Sequence, residues 1–190
     1  MGQAGLELFL EKGVAAVTID DIVAGANVAK GSFYRYFESK EQMVEWLFDP
    51  LARGMRNAFD RCEESLHDAK NAADLSKAYQ GLATDMIQLL AQFRDLAKLY
   101  LQESRSPAIG ARKTIRDLGD LVADRAVQLT HVAIQHGLLR DFGAPISALA
   151  VIGATERLLF GYLVEERFEN PLEIPRALIT LVLEGMRPNG

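Results

Sequence analysis

Cysteine is almost missing from this 190-residue chain, and the lone Cys62 excludes an intramolecular disulfide or a zinc site built from several thiolates. Its place in the series Leu51, Met55, Phe59, Cys62, Leu66 has helical spacing, so a packing role is expected. Histidine is scarce too, and His131 and His136, five apart, are badly spaced for a shared metal on one helix face. No metal ligands are expected. Glycines do not gather into a phosphate-cradling loop, and neither a Ser/His/Asp set nor an isolated carboxylate pair stands out. The chain therefore reads as a non-enzyme without a cofactor. No apolar run approaches the roughly 18 uncharged residues of a membrane span, and no basic stretch followed by an apolar one opens the sequence. A cytoplasmic protein with no membrane partner is expected. Positive charge is in deficit, with 21 Lys and Arg against 26 Asp and Glu and a net charge of −5, which argues against bulk attraction to nucleic acid.

Apolar residues recur with helical period almost throughout, without the sustained alternation of strands, so an all-α fold is expected. Leu6, Phe9 and Leu10 mark a first helix, ended by Lys12 and Gly13. Thr18 and Asp21 form a capping box at the start of a second, which buries Ile19, Ile22, Val23 and Ala26 along one face. Asn27 suits the left-handed conformation of a tight turn. A third helix is predicted from about Lys30 to Phe37. Ser39 and Gln42 form another capping box, and the helix they open meets Pro50, where a kink or split is expected. Beyond it, stripes at about 50–67, 74–92, 94–104, 108–136, 146–167 and 173–186 are separated by turn residues such as Gly137, Gly143-Ala144-Pro145 and Asn170-Pro171.

Two short helices joined by a tight turn can place the second in a DNA major groove. At about 100° per residue, Phe33 and Phe37 share one face of the third helix, while Gly31, Ser32 and Arg35 lie opposite with Tyr34 and Tyr36 beside them. The phenylalanines anchor the helix, Gly31 permits close approach, and Ser32 and Arg35 can donate to base edges or phosphates. Both tyrosines can reach phosphates at the groove walls. Lys40 adds a charge at a helix N-terminus. Residues 1–50 hold four cations against eight anions, but residues 27–40 set Lys30, Arg35 and Lys40 against Glu38 alone. Binding carried by this local surface should be salt sensitive.

From Ala4-Gly5-Leu6-Glu7-Leu8-Phe9 through Gly13, Thr18, Asp21-Ile22, Val28, Lys30-Gly31-Ser32, Tyr34, Tyr36-Phe37 and Lys40-Glu41, residues 4–48 resemble, without gaps, the DNA-binding region of the TetR family of transcriptional regulators. Asn27 stands where the family usually has glycine and Ala29 where serine often caps the recognition helix, and the basic N-terminal arm common in the family is expected to be missing. The resemblance implies a three-helix helix-turn-helix domain at 1–46 joined to a helical effector-binding and dimerisation bundle at 47–190. It implies a repressor of a palindromic double-stranded operator, released by a small-molecule effector. The implied DNA-binding residues are Thr18, Lys30, Gly31, Ser32, Tyr34, Arg35, Tyr36 and Lys40.

Helices at about 146–167 and 173–186 are apolar around much of their circumference, the second through Ile174, Leu178, Ile179, Leu181, Val182 and Leu183, which suits a homodimer seam better than a monomeric core. A largely apolar effector is expected near Met86, Leu89, Phe93, Tyr100, His131, Thr155 and Phe160, positions that plain core packing also explains. Thr155-Glu156-Arg157 could face that effector or form an ion pair at the seam. Pro50 reads as a simple kink or as the joint through which the bundle tilts the recognition helix. Two rival functions stay open: turnover of a ligand held in the bundle, and an adaptor whose helix-turn-helix meets protein.

Overall fold

The computed structural model describes residues 1–168, 170 and 173–185, without the side chains of residues 182–184. The expected contributions of Pro171, Val182, Leu183 and the helix end at 186 lie outside the described residues. Helix is the only regular structure among them: α1 (Gly2–Lys12), α2 (Ile19–Gly25), α3 (Lys30–Tyr34), α4 (Lys40–His67), α5 (Ala72–Gln92), α6 (Arg94–Glu103), α7 (Arg112–Gln135), α8 (Ala144–Leu163) and α9 (Glu173–Gly185). The fold is all-α, with an N-terminal helix-turn-helix arrangement and a C-terminal helical bundle. Two compact units form, Met1–Arg53 with Phe93–Gly119 and Gly54–Gln92 with Asp120–Gly190. The functional boundary expected at 46/47 falls inside α4.

The first unit is built on α1 to α3, the start of α4, α6 and the start of α7. Its buried residues include Phe9, Val14, Val17, Ile22, Phe33, Met43, Phe48, Leu51, Leu99 and Ile115. Gly5 lets α1 settle on α4, since a Cβ there would collide with the Met43 Cε. At the end of α1, Gly13 takes φ 80°, open to glycine at no steric cost, and its N–H donates to the Phe9 carbonyl at 2.9 Å.

The second unit has its core in Phe59, Cys62, Leu66, Leu75, Leu129, Val132, Ala133 and Leu138, with Tyr79, Leu82, Met86, Val122 and Ile134 packed partly buried against it. Burial pushes the Cys62 thiol up to about 12, with the Glu63 and Asp85 charges adding to the effect, so it is an inert packing residue. Arg125 pairs with Asp60 and with Glu63, and Arg61 with Asp85 at 2.8 Å. α9 packs on α5 and α8.

Several element bounds differ from expectation. α4 runs unsplit through Pro50, which is exposed, so the carbonyl deprived of its N–H partner lies on the side where water can serve it. α5 starts two residues early because Asn71 Oδ1 accepts the N–H groups of Ala73 and Asp74 at 2.9 and 3.1 Å. α7 starts four residues late, behind Pro107 and a left-handed Gly110 at φ 59°. α8 stops at Leu163 rather than 167. There Glu166 turns left-handed (φ 54°), the Arg167 N–H reaches back to the Gly161 carbonyl at 2.8 Å, and Phe168 folds over Gly161. α8 is long and apolar enough to cross a membrane by length and composition, although Glu156 and Arg157 interrupt it, and only 17% of that apolar stretch is buried.

Candidate nucleic-acid interface

The interface is assembled by local hydrogen bonds. Thr18 caps α2: its Oγ1 accepts the Asp21 N–H at 3.2 Å, and the Asp21 carboxylate accepts the Thr18 N–H at 2.8 Å and its hydroxyl at 2.6 Å. Those bonds from Thr18 hold the Asp21 carboxyl below its ordinary range. Thr18 is exposed, but its hydroxyl proton is already directed at Asp21. Asn27 takes φ 53°, and the Val28 N–H returns to the Val23 carbonyl at 3.0 Å, closing the turn.

α3 is shorter than predicted. Its α-helical run ends at Tyr34, because the Phe33 carbonyl receives the N–H of both Tyr36 and Phe37 at 3.0 Å and so closes the last turn. Ala29, at its N-cap, supplies no side-chain bond. The buried Phe33 anchors the helix, its ring 5.5 Å from that of Phe37, which lies 5.6 Å from Trp46. In the next cap the Ser39 hydroxyl accepts the Gln42 N–H at 3.2 Å, as expected, but the Gln42 side-chain Oε1 accepts the Glu38 N–H rather than that of Ser39.

The outer side of α3 is open. Tyr34 and Tyr36 are 52% and 68% exposed, Arg35 is exposed, and Ser32 is half-buried. A Cβ at Gly31 would meet nothing within 4 Å, so no neighbour inside the protein requires glycine there. The close approach that glycine permits is available from outside.

The cations are less free than the sequence suggests. Lys30 pairs with Asp20 at 2.7 Å, which raises its pKa. Lys40, expected to direct its charge at a phosphate, donates instead to the carbonyls of Val14 and Val17 at 2.8 and 2.7 Å. Among residues 27–40, Arg35 is the cation with neither an ion pair nor a side-chain hydrogen bond, so the local positive surface narrows to one free guanidinium and one neutralised ammonium.

Glu103 completes this scaffold and escaped sequence reasoning. It is 6% exposed, accepts the Val14 N–H at 3.0 Å and receives Arg112 Nε at 2.6 Å. Val14 is thus held at its N–H by α6 and at its carbonyl by α4, and the loop leading into α2 is clamped from both sides. A signal was present, since Glu103 falls on the same helical stripe as the buried Leu96 and Leu99.

The seven positions expected around an effector do not gather in one unit. Phe93 and Tyr100 belong to the first, Met86, Leu89, His131, Thr155 and Phe160 to the second. His131 is exposed, on the side of α7 away from the buried Leu129, Val132 and Ala133, and does not line an interior site. Leu89 packs where Gly54 leaves room, and Met86 lies at the core's edge. The Thr155 hydroxyl donates to the Val151 carbonyl at 2.8 Å, Arg157 sits 5.8 Å over Phe160, and Arg157 pairs with Glu165 at 3.0 Å.

Residues 3–47, the segment just built, match the family model described as "Bacterial regulatory proteins, tetR family". Residues 3–47 are a TetR-family segment. Relatives include the HTH-type transcriptional repressor DhaR of Mycobacterium sp. (strain GP1), 39% identical over 62 residues, which covers 30% of this chain and 31% of DhaR. KstR2 of Mycobacterium tuberculosis, also a transcriptional repressor, is 28% identical over 135 residues, covering 70% of this chain and 64% of KstR2. The chain spans less than a third of the length of the first curated relatives it matches. The TetR-type fold extends further: FadR of Bacillus subtilis, solved in complex with stearoyl-CoA, superposes with a TM-score of 0.71 at 19% identity, covering 98% of this chain and 97% of FadR.

Proposed function

We propose that this protein is a DNA-binding transcriptional repressor that reads a roughly palindromic operator as a homodimer and is released by a small, largely apolar effector in its C-terminal bundle. The observation that carries the reading is the outer side of α3, where Gly31, Tyr34, Arg35 and Tyr36 face solvent on a helix anchored by buried Phe33. Arg35 supplies base or phosphate donors, and Tyr34, Tyr36 and Ser32 serve the backbone. Lys30 shares its charge with Asp20. Thr18 and Lys40 act chiefly as positioning residues, through the α2 cap and the loop carbonyls. The DNA-reading function resides in residues 1–46, and effector binding and dimerisation in 47–190.

Exposed apolar residues favour the homodimer. Ile146 and Leu149 on α8 are 73% and 51% exposed and Leu181 on α9 is 68% exposed, a surface that a second copy would cover. That cover also accounts for α8 without a membrane, and we place the protein in the cytoplasm. For the effector we favour the region of Met86, which like Tyr79, Leu82, Val122 and Ile134 packs partly buried against the second core. With FadR holding stearoyl-CoA as precedent, a long acyl chain is the apolar group we favour there. Effector binding alters the separation of the two recognition helices, which must match half-sites about one helical turn apart. Nothing in this scheme requires catalysis or a cofactor.

Selection of genomic fragments by the full-length protein at low salt tests the reading. Enrichment of one palindromic sequence, lost with Arg35→Ala and reversed by an acyl-CoA, is expected. Failure to enrich any sequence would overturn it.

A further inference from the structure

His67 and His136 lie side by side in the second unit, with ring centroids 5.8 Å apart and planes inclined at 60°. His67 closes the last turn of α4, and His136 directly follows α7, its N–H donating to the Val132 carbonyl at 3.1 Å. Both side chains are exposed. Their backbones are not free to wander, because Leu66 and Ala69 on one side and Val132, Ala133 and Leu138 on the other belong to a single buried cluster. The Cα positions are therefore held by the core, with the two rings already side by side.

We propose that His67 and His136 form a two-histidine site for a borderline divalent transition ion of the Zn²⁺, Ni²⁺ and Cu²⁺ class, with water in its remaining positions. Imidazole nitrogen suits these ions, whereas Mg²⁺ and Ca²⁺ take oxygen ligands. With metal–nitrogen bonds of about 2.0–2.1 Å and a tetrahedral angle, two bound rings have centroids roughly 5 Å apart, close to the separation seen. Glu64, one helical turn before His67 on α4, adds a negative field on that face. Among the described residues no group of three or more His, Cys, Asp or Glu could hold a metal. The site is consequently open and exchangeable rather than closed and structural, and it joins the C-terminal ends of α4 and α7. His131, exposed on α7 and five residues before His136, serves as an internal control.

The test is independent of DNA binding. Full-length protein, freed of metal with a chelator, is titrated with NiCl₂ in buffer at about pH 7.5, and its histidine resonances are followed by NMR. The His67 and His136 signals should broaden together at the first additions while His131 persists, and MgCl₂ should do nothing. His67→Asn and His136→Asn, both at exposed positions, should each weaken binding by about tenfold or more, since each removes half of the protein ligands. Equal broadening of all three histidines, or an affinity unchanged in either variant, would overturn the proposal.

Discussion

Lys40 has a long side chain that could reach DNA, yet its ammonium is directed at two carbonyls of the loop before α2. The two roles have different signatures. A lysine on a phosphate releases a counterion, so its loss lowers the salt slope of binding by about one; a lysine that holds a loop leaves that slope alone. Lys40→Ala is expected to lower unfolding free energy by about 1.5 kcal/mol, the low end for hydrogen bonds to charged groups because the site is only half-buried, measured by urea denaturation. Its salt slope should stay at the wild-type value, while Arg35→Ala lowers it by about one. At Thr18 the test is pH. The Asp21 carboxyl is depressed in the folded state, so its contribution is present above the ordinary aspartate value near 4 and lost as pH falls through the lower folded value. In Thr18→Ala the Asp21 carbon resonance should titrate closer to that ordinary value, and losing the cap should cost the protein about 1 kcal/mol.

Among the elements, legibility followed the range of the interactions. The Gly13 stop, the Thr18 cap and the Asn27 turn rest on partners a few residues away, and all three are present in the structure. The α8 terminus was missed because Glu166 adopts a left-handed φ that glutamate rarely signals, and α3 was overextended because one carbonyl closes its final turn. Glu103 and Lys40 hold a loop 89 and 26 residues away, pairings that no local pattern encodes. Glu103→Ala should loosen residues 13–17, leaving Arg112 without its partner and the Val14 N–H without an acceptor. The result to look for is faster hydrogen exchange at the Val14 amide and weaker operator binding, with the far-UV spectrum preserved. Pro50 lies one turn before α4 passes from the first unit into the second. Restoring the backbone donor with Pro50→Ala should raise the melting temperature, because proline costs an interior helix roughly 3 kcal/mol relative to alanine. If the joint reading holds, effector-induced release should weaken in the same variant.

For the whole molecule, the composition is acidic and the candidate DNA surface carries little free positive charge, so a single copy should bind DNA weakly and pairing of two readers should supply much of the affinity. Ile146→Asp places a charge on the surface assigned to the dimer, where desolvation of an unpaired carboxylate is unfavourable. Analytical ultracentrifugation should show a monomer, with operator affinity reduced at least tenfold at the same protein concentration. A dimer that persists in this variant moves the seam away from α8. The central claim, that the outer side of α3 is the DNA-reading surface, is tested most directly by mapping amide and side-chain NMR shifts of the full-length protein on adding its selected duplex at low salt. The account predicts the largest changes at Gly31, Ser32, Tyr34, Arg35 and Tyr36; changes centred on another surface, with α3 unmoved, would contradict it.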